Sequence, residues 1–129
     1  MPYDSYRWLA PYLLFGRMRS LNYNIPLYNL SWIYATSENS RYRNGIKALK
    51  LAEKLCMLTG YQQPLALDAL AAAYAENGNF GKAVETAQRA LELALQLGPE
   101  EHVIGLKKRL KLYQDERPYR QRLKQKDES

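Results

Sequence analysis

Nucleophilic and metal chemistry draw on cysteines, histidines and convergent carboxylates, and this chain supplies one Cys, Cys56, and one His, His102. That inventory excludes metal sites built from clustered thiolates and imidazoles, and any catalytic scheme needing two histidines. Cys56 sits in the apolar run Leu55-Cys56-Met57-Leu58 and reads as a buried, inert thiol. His102 falls in the first turn of a helix, where a solvent-exposed imidazole is expected, with no chemistry. Asp115 and Glu116 are adjacent, and neighbouring helical residues project about 100° apart, so they make no acid/base pair. The segment Gly78-Asn79-Phe80-Gly81-Lys82 lacks the preceding strand and the second half of a phosphate-binding loop, and is explained as a turn between helices. No catalytic residue, metal ligand or cofactor is therefore expected.

What remains is chemistry of recognition. Arg41, Tyr42 and Arg43, and the tail residues Arg117, Tyr119, Arg120, Arg122, Lys124 and Lys126, interleave cations with rings, a mixture that suits phosphates and bases. No glycine-rich RNA signature or zinc finger accompanies them, so no nucleic-acid partner is expected and the basic tail reads as solvated. Near the start, Trp8, Tyr12 and Phe15 lie beside Arg17 and Arg19, a candidate docking surface for an anionic membrane or for the helices that follow. The net charge of +6 is unevenly spread. Residues 1–63 carry eight Lys or Arg against three acids, residues 64–106 two against six, and residues 107–129 nine against four. An acidic middle between basic ends argues against one continuous polyanion-binding face.

These side chains must be positioned by about one domain, since the chain has 129 residues. A mean hydropathy of −0.53 is too polar for a membrane-spanning protein. The stretch from Trp8 to Phe15, interrupted by Pro11, is far short of the ~20 residues that cross a bilayer. Neither a transmembrane helix nor a cleavable signal is read, and a cytoplasmic location is expected, with a membrane-associated complex or the periplasm as alternatives.

The chain repeats itself. Leu27, Leu30, Tyr34 and Ala35 return as Leu67, Leu70, Tyr74 and Ala75, 40 residues on; Ala48, Ala52 and Leu58 return as Ala83, Ala87 and Leu93, 35 residues on. The spacing i, i+3, i+7 in the first halves and i, i+4 in the second puts apolar or small residues on one helical face, which predicts two helical hairpins, the first with five extra turn residues. Pro64 suits a first helical turn, Gly78-Asn79 a break, and Pro99-Glu100-Glu101 the opening of another helix, whose stripe is Val103, Leu106, Leu110 and Tyr113. The expected organisation is a capping or docking segment over 1–25, a first hairpin over 26–63, a second over 64–98, a capping helix over 99–116 and a basic tail over 117–129.

In the second copy, Leu67, Leu70, Ala71, Tyr74, Gly78, Phe80, Ala83, Ala87 and Ala90 follow a large/small pattern that resembles the tetratricopeptide repeat. The first copy departs through Ser31 and its longer turn. The resemblance implies an all-α fold, a right-handed stack of antiparallel helical hairpins with terminal capping helices, and a non-catalytic module binding a protein or peptide in a concave groove. Carried over residue by residue, the groove positions are Tyr28, Asn29, Trp32 and Thr36, then Asp68, Ala69, Ala72 and Glu76, then Ile104 and Lys108. Some members hold a terminal carboxylate with Asn and Lys; here Asn29 is present but Asp68 would repel it, so acidic tail peptides are not expected. Eleven tyrosines favour the alternative of an accessory subunit or oligomeriser, a homo-oligomer or a piece of a larger complex, a membrane-associated one included.

Overall fold

A computed structural model describes residues 18–122, with side chains from Asn24 onward. Five helices follow one another: α1 (Met18–Thr36), α2 (Gly45–Leu58), α3 (Pro64–Glu76), α4 (Phe80–Leu97) and α5 (Glu100–Gln114). No strand occurs among the described residues, and the one β-bridge pairs Ser37 with Gln121. Each helix packs on its sequence neighbours, and α3 also packs on α1. None of the described helices is long and apolar enough to cross a membrane.

The start of α1 differs from the expected boundary. The helix begins at Met18 and runs through Pro26, where a first hairpin starting at 26 was expected. Of the proposed docking surface, Trp8, Tyr12, Phe15 and Arg17 lie outside the described residues, as does the side chain of Arg19.

Alanines make the helix seams. Ala71 and Ala75 of α3 meet Ala83 and Ala87 of α4, with Tyr74, Phe80 and Val84 packed around them. Ala48 and Ala52 of α2 share a second cluster with Ala66, Ala69 and Ala73 of α3, and with Leu55, Leu70, Val103 and Leu106. Short side chains let backbones approach, and the larger ones fill the flanks. Two members of the expected stripes stay outside: Leu30 and Leu58 are about half exposed, while their counterparts Leu70 and Leu93 are buried. Leu70 and Leu93 have helices on either side, whereas the first hairpin has a described neighbour on one side alone. Cys56 is fully buried, its thiol donating to Ala66 O at 3.4 Å, and burial, then Glu53, pushes its pKa up to about 12. The thiolate is accordingly inaccessible near neutral pH.

Both hairpins close alike. Asn44 N–H donates to Tyr34 O at 2.8 Å, and Asn79 N–H to Tyr74 O at 2.9 Å. Each asparagine caps the next helix, Asn44 Oδ1 accepting from Lys47 N and Asn79 Oδ1 from Lys82 N, which satisfies an otherwise orphaned donor. Lys47 Nζ lies 5.7 Å from the centre of the Tyr34 ring, and Lys82 Nζ 5.6 Å from that of Tyr74. Gly78 bends the shorter turn at φ 81°, a conformation that an L side chain resists. Gly45 is small for a different reason: a Cβ there would lie 2.8 Å from Asn77 Oδ1. Asn77 Nδ2 donates to both Gly45 O and Ala73 O at 2.8 Å, fastening the second hairpin to the first.

Candidate functional site

Asp68 is the one charged residue inside the apolar helix Pro64–Glu76, whose other acid, Glu76, is its last residue. Asp68 is 1% exposed, and a carboxylate so placed requires a partner. Arg109 of α5 supplies it with a two-pronged pair, Nε donating to Oδ1 at 2.9 Å and Nη2 to Oδ2 at 2.7 Å. Burial works against the guanidinium charge, but Asp68 outweighs it and holds the Arg109 pKa above its ordinary value. The guanidinium also lies over two rings, with Cζ 5.3 Å from the centre of Trp32 and 5.2 Å from that of Tyr119. Tyr28 stacks on Trp32, centroids 5.7 Å apart and planes 20° apart. Tyr28 and Trp32 of α1, Asp68 of α3 and Arg109 of α5 thus meet, with Tyr119, at a single charged and aromatic centre.

Two titratable groups flank it. Tyr113 is buried, and burial together with the Asp68 charge raises its pKa, keeping the hydroxyl neutral; Tyr113 Oη has no hydrogen-bond partner among the described residues. His102, expected in solvent, is instead partly buried. Burial lowers its pKa below 6.5, Asp68 opposes the shift and Arg109 adds to it. The folded chain therefore binds fewer protons at His102 than the unfolded chain, so stability rises with pH through this window and falls as pH drops below about 6.5. Melting temperatures should decline between pH 7 and pH 5.5, and His102→Gln should flatten that part of the slope. An identical slope in the variant would remove His102 from the account.

The chain beyond α5 turns back over this centre. Arg117 N–H donates to Leu112 O at 2.9 Å, reversing the direction after Gln114, and Glu116 adopts φ 57° in the turn. Residues 118–121 then run without helix across α5, α3 and α1. Tyr119 packs against Trp32 with centroids 5.7 Å apart. Arg120 Nη1 donates to Glu76 Oε1 at 2.8 Å, Gln121 N–H to Thr36 O at 2.7 Å, and Trp32 Nε1 to Gln121 Oε1 at 3.4 Å. Glu76 is shared: Arg43 Nε, from the long first turn, lies 3.4 Å from Oε2, an ion pair without hydrogen-bond alignment. Arg43 Nη1 also donates to Ser37 O at 2.9 Å. The Arg120 side chain is 32% exposed, so its pair is worth no more than about 1 kcal/mol. Beside Gln121 opens an apolar cavity of about 290 Å³ lined by Trp32, Ile33, Thr36, Ser37 and Tyr42.

The residues carried over as a groove are thus gathered but not empty. Tyr28 and Trp32 are core members, Thr36 is buried with Oγ1 donating to Trp32 O at 2.7 Å, and Ala69 and Ala72 are buried. Asn29 is partly buried beside them. Asp68 is neutralised by Arg109, so its charge is not available to repel a carboxylate as expected. Lys108 and Ile104 are exposed, and it is Arg109, one place on, that reaches α3. The tail, read as solvated, is docked as far as Gln121; Arg117 and Arg122 are exposed, and Lys124 lies outside the described residues. Arg43 points inward, whereas Arg41 and Tyr42 stay in solvent.

Among the described residues no three His, Cys, Asp or Glu side chains gather where a metal ion could be held. No family model, curated protein or solved structure matches the chain.

Proposed function

We propose that the chain is a non-catalytic protein-interaction module of the tetratricopeptide kind, whose α1, α3 and α5 faces form a groove for an extended segment of a partner protein. The observation that carries this reading is that the face already accommodates an extended segment, residues 118–121, through a ring contact, a charge pair and a main-chain hydrogen bond. Rigid helices that hold Trp32, Glu76 and Thr36 O in place lower the ordering cost of such capture. The duplicated Tyr–Asn–Lys closure of the two hairpins supports the repeat character on which the groove depends.

The test is selection of peptide ligands from a random library on the full chain, followed by photo-crosslinking of the selected peptides. Crosslinks on Trp32, Thr36 or Glu76 support the groove. Crosslinks confined to α2 and α4, or no ligand at all, sink it.

A second reading, an accessory subunit or oligomeriser, is favoured by the apolar residues Leu30, Ile33, Tyr42 and Ile46, which are 46–66% exposed on the first hairpin. Sedimentation of the chain decides whether they associate: a monomer throughout the micromolar range leaves self-association without support.

A further inference from the structure

We infer that residues 117–122 are a built-in occupant of the groove, and that the face selects partner segments of the same chemistry, an aromatic residue followed directly by arginine in extended conformation. This rests on the groove reading above and specifies its ligand and its control.

Each element of that chemistry has a reason in the receiving surface. The aromatic position is set by Trp32 and by the Arg109 guanidinium, which together offer a ring one flat neighbour and one cation. The arginine position is set by Glu76, whose side chain is 17% exposed and which accepts at 2.8 Å. The extended conformation is set by Thr36 O, which has a main-chain donor at 2.7 Å from a segment lacking helical bonds of its own. Arg120 Nη1 donates both to Glu76 and to Tyr119 O at 3.1 Å, and a guanidinium, more weakly hydrated than a lysine ammonium, loses less on leaving water for this partly buried site. An acidic segment would meet Glu76 with like charge, which excludes the opposite composition.

The occupant is held lightly enough to be exchanged. Apart from Tyr119, the contacts described for it are hydrogen bonds and an ion pair, and Arg120, Gln121 and Arg122 remain partly or fully exposed. A tethered segment competes at high effective concentration, so a partner's apparent affinity falls by the fraction of time the groove is open. A tail docked in about nine molecules of ten lowers it about tenfold.

The experiment uses the full chain and a fluorescein-labelled peptide with the sequence of residues 115–122, read by anisotropy. Arg120→Ser weakens the tail without touching the helical core, and Y119S/R120S removes both anchors; circular dichroism checks that each remains helical. The peptide should bind Arg120→Ser several-fold, and Y119S/R120S at least tenfold, more tightly than the unsubstituted chain. Replacing the arginine of the peptide that corresponds to Arg120 by alanine, or adding Glu76→Gln to the double variant, should reverse the gain. Equal binding to all three chains, or to the alanine peptide, overturns the inference. So does an unsubstituted chain that sediments as a dimer and dissociates on Y119S/R120S, which would assign the tail to the groove of a second copy. If library-selected peptides lacking the aromatic-arginine pair crosslink to Trp32 or Glu76 while this peptide binds none of the chains, the inference fails and the interaction module stands.

Discussion

Asp68→Ala should destabilise the chain by about 3–5 kcal/mol, the range for breaking a buried pair on one side. The cost comes less from the lost attraction than from what stays behind. Arg109, with 12% of its side chain exposed, keeps its charge at every accessible pH and has one carboxylate within reach. Removing that carboxylate strands a guanidinium among Trp32, Tyr119 and Tyr113, where water cannot replace two hydrogen bonds. The double substitution Asp68→Leu with Arg109→Met removes both charges, keeps comparable volume, and should cost clearly less than Asp68→Ala alone. Urea unfolding of the three variants measures the difference. A single variant no more damaging than the double would mean that Arg109 swings out to solvent and that the pair does not organise the centre.

Leu106→Ala should cost about 2–5 kcal/mol, because the side chain is fully buried and the space it leaves is bounded by helices that close only partly. Ile104→Ala, two residues earlier in the same helix, removes an equal mass from a position 52% exposed and should stay within about 0.5 kcal/mol. The contrast asks whether α5 is a lid sealing the apolar end of the second hairpin, since Leu106 and Val103 share the cluster that contains Leu65, Leu93 and Ala94. Thermal melts of the two variants give the answer. Equal shifts would show that α5 peels away without opening the interior.

The hairpins were legible because their determinants are local. Periodic alanines, Pro64 at a first turn and Gly78 at a break act within one or two turns of helix, and single residues decide them. The site was legible only in outline. The resemblance places Tyr28, Trp32, Asp68 and Glu76 on one face, but it says nothing about a partner 41 or 44 residues away, so Arg120 falls in a tail expected to be solvated and Arg109 does not stand out in the sequence at all. A usable signal was nonetheless present: a lone Asp inside PLALDALAAAYAE has apolar neighbours on every side of the helix and must find a cation. The matching pairs Asn44–Lys47 and Asn79–Lys82 were equally visible, but the longer first turn breaks their register with the preceding tyrosines. The length of α1 was hidden for another reason, since Pro26 marks a helix start far more often than an interior position.

The surplus residues of the first turn, which make this copy an imperfect repeat, also carry Arg43 to the carboxylate that Arg120 grips. When Arg120 lets go, Glu76 is not stranded, because a second arginine is already in place to hold it. Irregularity here acts as a spare clasp: trimming the loop to match its twin would tidy the sequence and leave the half-buried acid to face every departure of the tail alone.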